Sequence, residues 1–456
     1  MLRTLLRPHP VPRSRRSALA VLPALLVALV GLLLPAAGAI AQPRVELGLA
    51  GDTPQEQAGA FGVGGVHRPG DEVGIRVTVR AGDGDFGAAT NVLVQWEMPN
   101  ADGDIAEIRR VVALTAGGST TTWLYGGLPP DLDLQQTWTL RAFVYDDEAG
   151  GALGAEIGTA IIQAPAAGRI PRGTSLIGLV GRDQLGLEGY RRPQLPMASA
   201  EVMTAHEDTR VLPLDVADLP DAWPGLDSFG VIVWSEGDPS ALTARQEEAL
   251  RDWIAGGGHL VIVLPFAGDP WRLGDAAGGP LGDLLPSRAP RLVEDVPLSD
   301  LVPLLSKSRR LAPGFESRPL ALRSFADLDG DFDAMDRGWA PIVATDDGDV
   351  VVVRRPVGHG HLSLVGLELD SPHLEAVRLG HGLADTLPQA DAFWNRVLGR
   401  RAAHPTPAEL GRNVDRVARS TPEQRLSDGG ILADAVRMSE AAGTGLLLAL
   451  VLFVGY

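Results

Sequence analysis

The chain has 456 residues, a formal net charge of −17 at neutral pH, 45% hydrophobic residues and no cysteine. The absence of thiols excludes a disulfide framework, a cysteine nucleophile and a cysteine metal site, and so acidic a surface disfavours binding to nucleic acid. A chain of this length is expected to hold two or three domains.

Residues 1–41 have the pattern of a secretory signal peptide. Five arginines and no acid precede an almost wholly apolar stretch from Leu19 to Leu34, and Ala39-Ile40-Ala41 forms a small-residue cleavage site. An uncleaved membrane anchor is the alternative. Either way, we expect the chain after this segment to be exported.

Residues 43–165 alternate between apolar and polar side chains, which is typical of half-buried β-strands. The pattern covers 73–79, 92–98 and 138–144, and turn-forming stretches such as Pro69-Gly70-Asp71 and Pro129-Pro130 separate the strands. Short strands without helical stretches predict an antiparallel β-sandwich of immunoglobulin-like architecture. Its expected role is that of a spacer or interaction module.

After a linker at 164–172, residues 172–401 change to an α/β pattern. Strands are predicted at Ser175–Val180, Arg210–Leu214, Val231–Trp234 and Leu260–Leu264. Between the last two, Thr243 and Gln246 have capping-box spacing, and the glycines 256–258 end the helix that follows. Strand–helix–strand predicts a parallel sheet with a right-handed crossover, as in flavodoxin-like domains.

The pattern is weaker after residue 275. We expect a short helix within 296–306, an irregular acidic insertion at 307–338, and then two consecutive hairpins formed by 341–345, 350–354 and 362–369. A helix at Ala390–Arg401 closes the domain and buries Phe393, Trp394, Val397 and Leu398.

The C-terminal part predicts attachment to a membrane. Residues 402–440 are polar and are expected to form a stalk. Residues 441–456 carry no charge, and their apolar run at 446–454 predicts the start of a transmembrane helix that continues beyond Tyr456. A buried globular helix is the alternative, but the segment is apolar on every face.

The helix and glycines at 243–261, with Gly358-His359-Gly360 at the later strand entry, resemble the class I glutamine amidotransferase-like domain. The resemblance is to its divergent form in uncharacterised bacterial membrane proteins, and it covers roughly residues 174–400. It implies a sandwich domain, then an amidotransferase-like domain, then a transmembrane helix. In catalytic members a cysteine follows the strand after the glycines, and alignment on Gly257-Gly258-His259 places Leu264 there. Amidotransfer through a thioester is therefore excluded.

Three other groups are candidate sites, each with a simpler interpretation. Ser235 precedes Gly237 after a strand, but Val233 replaces the first glycine of a hydrolase elbow, which favours an ordinary loop serine. An acidic run offers oxygen ligands for calcium, but it lacks the glycine and glutamate of an EF-hand and is more simply a solvated loop. Its members are Asp327, Asp329, Asp331, Asp333 and Asp336.

Imidazoles and carboxylates are also close together in the sequence around the second hairpin. His359 and His361 could offer two ligands to zinc, although His359 lies in a predicted turn, where a polar residue is ordinary. The possible additional ligands are Glu368, Asp370 and His373.

Gly178, Gly181 and Gly186 match no phosphate-binding motif, so nucleotide binding is unsupported. Trp234 and Trp271 could line a crevice at the carboxyl ends of the strands or pack in the core.

These observations predict a membrane-anchored, extracytoplasmic binding or assembly protein with a degenerate amidotransferase-like domain and no catalytic residues, cofactor or metal. Its expected partners are the bacterial cytoplasmic membrane and other proteins. The alternative is a metal-dependent hydrolase that uses the His359/His361 region or residues 327–336.

Overall fold

A computed structural model describes most of the chain from Arg44 to Gly399. The described ranges are 44–82, 90–99, 104–130, 132–133, 135–146, 152–171, 174–181, 185–191, 208–275, 279–306, 310–326, 338–374, 377–378, 384–385 and 387–399. The predicted signal peptide, stalk and transmembrane segment lie outside these residues, as does the acidic run at 327–336. Within the ranges above, no helix has the length and apolar character needed to cross a bilayer.

The described part of the chain is mostly β-sheet, with few helices. Its N-terminal region forms two antiparallel sheets, one of three strands in the order β1-β2-β5 and one of four in the order β4-β3-β6-β7. The strands are β1 (Val45–Leu49), β2 (Glu72–Ala81), β3 (Thr90–Pro99), β4 (Ile105–Leu114), β5 (Ser119–Gly127), β6 (Thr137–Asp146) and β7 (Ala152–Gln163), with the short helix α1 (Pro54–Gly59) after β1.

The two sheets face each other across one hydrophobic core, as the alternation predicts for a β-sandwich. Strands β2, β3 and β6 turn their alternate apolar residues inward. Trp96 and Trp138 lie edge to face with ring centroids 6.0 Å apart, within the spacing of about 4.5–7 Å that is typical of aromatic pairs. Phe61 stacks on Trp138 from the segment after α1. These residues are almost fully buried.

The second region is built on a seven-stranded sheet in the order β14-β15-β16-β11-β10-β8-β9. Neighbours from β9 to β16 pair in parallel, and β15 and β14 continue the sheet antiparallel. The strands are β8 (Thr174–Val180), β9 (Asp208–Leu214), β10 (Val231–Trp234), β11 (His259–Val263), β14 (Ala340–Ala344), β15 (Val350–Val357) and β16 (Gly360–Val365).

The helix α2 (Ala244–Gly256) connects β10 to β11 and covers one face of this sheet. Thr243 and Gln246 form the predicted capping box, and Gly257 follows the helix at φ 130°. Its buried residues Leu250, Trp253 and Ile254 pack on the sheet, so this unit was predicted correctly.

The other face is covered by α3 (Leu298–Leu305), a π-helical turn (Ala390–Trp394) and α4 (Asn395–Leu398). Phe393, Trp394, Val397 and Leu398 are buried there as predicted. The helix is shorter than predicted, because Gly399 adopts a left-handed conformation at φ 67° and ends it.

Two sequence expectations for the region after residue 275 are wrong. Residues 307–338 are not wholly irregular, because β13 (Pro319–Ser324) lies within them and pairs antiparallel with β12 (Arg291–Pro297). The strand predicted at 362–369 spans Gly360–Val365 instead. A further two-residue ladder joins β17 (Val377–Arg378) to β18 (Ala384–Asp385).

The sandwich and the second region are in contact through both apolar packing and polar hydrogen bonds, and we call this contact the junction. Trp123 and Val63 of the sandwich belong to the same core as the α2 face of the large sheet. At the centre of the junction, Asp221 accepts hydrogen bonds from Arg110 and, at 2.6 Å, from the hydroxyl of Tyr125. Burial alone would raise the pKa of Asp221, but the hydrogen bonds from Arg110 and Tyr125 outweigh it and lower that pKa.

His67 is a fully buried imidazole close to the same junction. Its main chain bonds to Gly168 and Ile170 of the linker, and its ring lies 5.1 Å from that of Phe61. Burial, with the charge of Arg169, lowers the pKa of His67 to about 4. This side chain is therefore neutral at pH 7.

Candidate functional site

The carboxyl ends of β8, β9 and β10 border a crevice of about 580 Å³. In open parallel sheets, ligands bind outside the carboxyl ends of the strands, where the strand order changes direction, and a volume of this size is within the range of small-ligand pockets. The lining residues are Val180, Gly181, Pro213, Leu214, Asp215, Val216, Asp218, Glu236 and Gly237.

The loop after β10 is folded against the end of β8. The amides of Ser235 and Glu236 both donate to the carbonyl of Val180, at 2.9 and 3.2 Å, and the indole of Trp234 donates to the carbonyl of Gly237 at 3.1 Å. These bonds hold Glu236 at the rim of the crevice. The loop is thus fixed by two backbone hydrogen bonds to β8 and one hydrogen bond from the Trp234 indole.

Gly181 is required where β8 meets this loop. Its φ is +147°, and a β-carbon there would lie 2.1 Å from the hydroxyl of Ser235. Only glycine allows so close an approach at this backbone angle without strain. The glycine therefore serves the turn between β8 and the residues that follow it.

Ser235 is a loop serine in the structure. The only hydrogen bond that its hydroxyl makes among the described residues goes to the carbonyl of Val180, at 3.4 Å. A hydrolase serine needs a base within hydrogen-bonding reach, and within the described ranges neither an imidazole nor a carboxylate forms a hydrogen bond with this hydroxyl.

Leu264 lies directly after β11, at the same edge of the sheet. Its side chain is 4% exposed and packs in the core on the α2 face, and its amide donates to the carbonyl of Val365 at 2.8 Å. Arg323 then fixes the loop that follows, donating to the carbonyls of Pro265, Phe266 and Gly268 at 3.1, 3.0 and 2.7 Å. The position aligned with the amidotransferase nucleophile is thus held by hydrocarbon packing and backbone hydrogen bonds.

Trp234 and Trp271 do not line the crevice. Each is 1% exposed, and the two rings meet edge to face with centroids 5.1 Å apart. The core-packing interpretation is therefore correct for both, and the crevice wall next to β10 is formed by Glu236 and Gly237 instead.

The imidazoles and carboxylates considered as a candidate metal site are not brought together. His359 and His361 lie at the amino end of β16, whereas Glu368, Asp370 and His373 follow its carboxyl end. A strand of this length separates the two groups by roughly 17 Å. Across the described ranges, no three histidine or acidic side chains are placed to hold a metal ion. The acidic run at 327–336 lies outside those ranges.

The opposite end of the parallel strands carries a polar cluster that sequence reasoning missed. His259, the first residue of β11, shares a hydrogen bond of 2.8 Å between its Nε2 and the Oγ of Ser363 in β16. Arg354 of β15 donates to the same hydroxyl from its Nε at 3.2 Å, and its Nη2 donates to the main-chain carbonyls of Arg396 and Val397 at the end of α4.

This cluster is closed to solvent. Ser363 has no exposed surface and His259 is 6% exposed. Burial, followed by the charges of Arg354 and His361, lowers the pKa of His259 to about 3, so the imidazole is neutral. No substrate can reach this serine without opening the core. The sequence signal for the cluster is a polar side chain within each of three largely apolar strands: His259 in β11, Arg354 in β15 and Ser363 in β16.

Comparison with known proteins gives no family for the chain. No protein-family model matches it, and no curated protein does. Solved structures with partial overlap include the exo-β-1,4-mannosidase Op5Man5 from Opitutaceae bacterium strain TAV5, at 12% identity and a TM-score of 0.21 over 43% of this chain. Another is the sporulation control protein Spo0M from Bacillus subtilis, at 13% identity and a TM-score of 0.14, covering 26% of this chain and 47% of that one.

This chain spans 31% of the length of the mannosidase and 28% of a β-galactosidase from Rahnella sp. R3, which is 12% identical at a TM-score of 0.20. Overlaps of this extent say nothing about what the chain binds or does.

Proposed function

We propose that this chain is a non-catalytic binding or assembly protein, exported and held at the bacterial cytoplasmic membrane. Its second region is a flavodoxin-like scaffold related to class I amidotransferase-like domains, and its partners are other proteins. The observation that carries the proposal is Leu264, a buried hydrocarbon at the strand end where catalytic relatives of that class have their cysteine.

The order of the parallel strands supports the scaffold assignment. Numbered from β8, the order β9-β8-β10-β11-β16 is 2-1-3-4-5, which is that of flavodoxin-like sheets. The crevice at the β8 and β10 ends lies where such sheets bind ligands, so the scaffold keeps a place for recognition. Because fold alone implies no chemistry, we prefer recognition to catalysis on the ground that Leu264 has a hydrocarbon side chain.

The ends of the sequence support export and anchoring. A basic start, an apolar stretch and the Ala39-Ile40-Ala41 site favour a secretory signal, and the uncharged run at 446–454 favours a membrane span. Expression of the chain in a bacterium tests this. We expect it in the membrane fraction and digested by protease added to spheroplasts, whereas protection from that protease would contradict the proposal.

A turnover and metal assay on the purified full chain tests the non-catalytic assignment. We expect no ammonia from glutamine and no bound metal at a stoichiometric level. One zinc or calcium ion per chain, together with hydrolysis that a chelator abolishes, would replace this proposal with the metal-dependent hydrolase.

A further inference from the structure

A second hollow, of about 540 Å³, lies on the sandwich, and Asp218 of the second region completes its lining. Asp218 also lines the crevice, so the two spaces are neighbours that share this residue. We call them together the junction groove. The residues that line the second hollow are Ala50, Gly51, Glu56, Gly59, Gly62, Gly64, Arg76, Thr121, Trp123 and Asp218.

Glycines form part of the wall of the second hollow. Four of its ten lining residues are glycines. At Gly62, where φ is +83°, a β-carbon would lie 1.8 Å from the carbonyl of Val66, so glycine is required there. Where the wall carries no side chain, another main chain can approach closely.

One guanidinium occupies the middle of the groove. Arg76 forms an ion pair with Asp218, and its guanidinium carbon lies 5.7 Å from the centroid of the Trp123 ring. A carboxylate beside an aromatic ring is a favourable environment for a cation. The protein thus already holds one basic side chain at this place.

The remaining charges in the groove are negative. Glu56, Asp215, Asp218 and Glu236 contribute carboxylates, and Arg76 is the only basic residue among the described residues that line the two spaces. Asp215 accepts a hydrogen bond from the amide of Ala217, and Glu56 accepts hydrogen bonds from the amides of Asp52 and Thr53 at the start of α1. Carboxylates still outnumber the one guanidinium, which favours a cationic occupant, and the net charge of −17 attracts cations over a longer range.

We propose that the junction groove binds an extended polypeptide segment that carries arginine or lysine side chains, one of which replaces Arg76 at Asp218. This rests on the proposed function, because it assumes recognition without turnover, and it specifies the chemistry of the partner. The sandwich then supplies half of the binding site and is more than a spacer.

Peptide binding to the full chain in detergent tests the assignment. The probe is a fluorescein-labelled peptide of alternating glycine and arginine, six residues long, with a glycine–glutamate peptide as its counterpart. We expect the arginine peptide to bind and the glutamate peptide not to bind. Asp218→Asn and Glu236→Gln should each weaken binding about five- to tenfold, the effect of one lost charge pair near a protein surface.

Two further variants separate this site from general charge attraction. Asp252→Asn removes one carboxylate from the exposed side of α2, outside the groove, and should leave the affinity unchanged. Arg76→Gln frees Asp218 and should tighten binding several-fold, so Arg76 and Asp218 variants have effects of opposite sign. If the Arg76–Asp218 pair only held the junction together, both variants would weaken binding in parallel with a lower melting temperature.

Equal affinity in all variants, or weaker binding by Arg76→Gln, would overturn the peptide assignment while leaving the non-catalytic function in place. Cleavage of the peptide by the chain would instead overturn the proposed function. The two failures are therefore distinguishable in the same assay.

Discussion

The two ends of the parallel strands differ in what they offer to chemistry. The carboxyl end is open, with a crevice of about 580 Å³, but the strand ends there carry the buried Leu264 and a loop serine, Ser235. The amino end brings a serine, a histidine and an arginine into hydrogen-bonding contact, but it is sealed in the core.

A catalytic site needs two things in one place: reacting side chains in hydrogen-bonding contact, and a path by which the substrate reaches them. Neither end of the described sheet combines the two. The pair Ser363–His259 has the spacing of a serine and its base, yet burial lowers the pKa of His259 to about 3 and makes the ring a weak base. Arg354 donates to the same hydroxyl and to carbonyls of α4. Such a network fixes the core rather than activating a nucleophile. The open end, by contrast, has space for a ligand and carboxylates to hold it.

The largest expected effect is a loss of folding stability in acid. It comes from His259 at the amino ends of the parallel strands, which we call the sealed end because the polar cluster there is buried. The pKa of His259 is about 3 in the folded chain and ordinary values are near 6.5, so folding favours the neutral ring. Its contribution to stability is complete above pH 6.5 and is lost as the pH falls from 6.5 towards 3. At pH 4 this loss is about 3 kcal/mol.

Urea unfolding of the native chain and of His259→Gln at pH 7 and pH 4 measures this contribution. The native chain should lose about 3 kcal/mol more than the variant between the two pH values. His67 and the carboxylates titrate in both proteins, so their effects cancel in the difference. Equal losses would show that His259 is not held neutral by the core.

The next largest effect on the free energy of unfolding comes from replacing a glycine with alanine at each end of the parallel strands, Gly360 at the sealed end and Gly181 at the open end. A β-carbon at Gly360, at the sealed end, would lie 2.1 Å from the carbonyl oxygen of Ile254 and 2.2 Å from that of Gly258. At Gly181 the contact with the Ser235 hydroxyl can be relieved by rotation of that side chain, so the remaining cost is the strain of an alanine at a φ of +147°. We expect Gly360→Ala to lower the free energy of unfolding by about 2 to 3 kcal/mol and Gly181→Ala by about 1 kcal/mol.

Thermal unfolding of the two alanine variants checks the order. A greater loss for Gly181→Ala would mean that the loop after β10 is packed more tightly than the sealed end.

The smallest effect comes from the two serines. Ser363→Ala removes the hydroxyl that joins His259 to Arg354 and leaves two buried groups with fewer partners, so it should cost about 1 to 2 kcal/mol. Ser235→Ala removes one long contact to a carbonyl and should change stability by less than about 0.5 kcal/mol. Denaturant midpoints of both variants test this, and a large loss for Ser235→Ala would contradict its assignment as a loop residue.

Local sequence signals were sufficient for the open end of the sheet. The capping box at Thr243, the apolar helix face and the glycines after it are all within one segment, so β10, α2 and β11 were predicted with nearly correct bounds. The sandwich strands were equally visible, because period-two alternation is a local property.

The polar cluster, the β12–β13 pair and the junction groove could not be predicted from the sequence, because each depends on contacts between residues far apart in the chain. His259 and Ser363 are 104 residues apart, and only the parallel pairing of β11 with β16 brings them together. Strand β12 is largely polar and exposed, and β13 has an apolar run of only three residues, Leu320 to Leu322, so neither stands out in the sequence before the two are paired. The junction groove needs two regions of the chain, and Arg76 and Asp218, 142 residues apart, carry no shared motif.

The most direct test of a scaffold that recognises without reacting is turnover by the purified full chain. Glutamine, ester and phosphoester substrates are incubated with the native chain and with Ser235→Ala and Glu236→Gln. The account predicts rates equal to the uncatalysed background in all three proteins. Turnover by the native chain that either substitution abolishes would contradict it, because the open end of the sheet would then hold a reacting group.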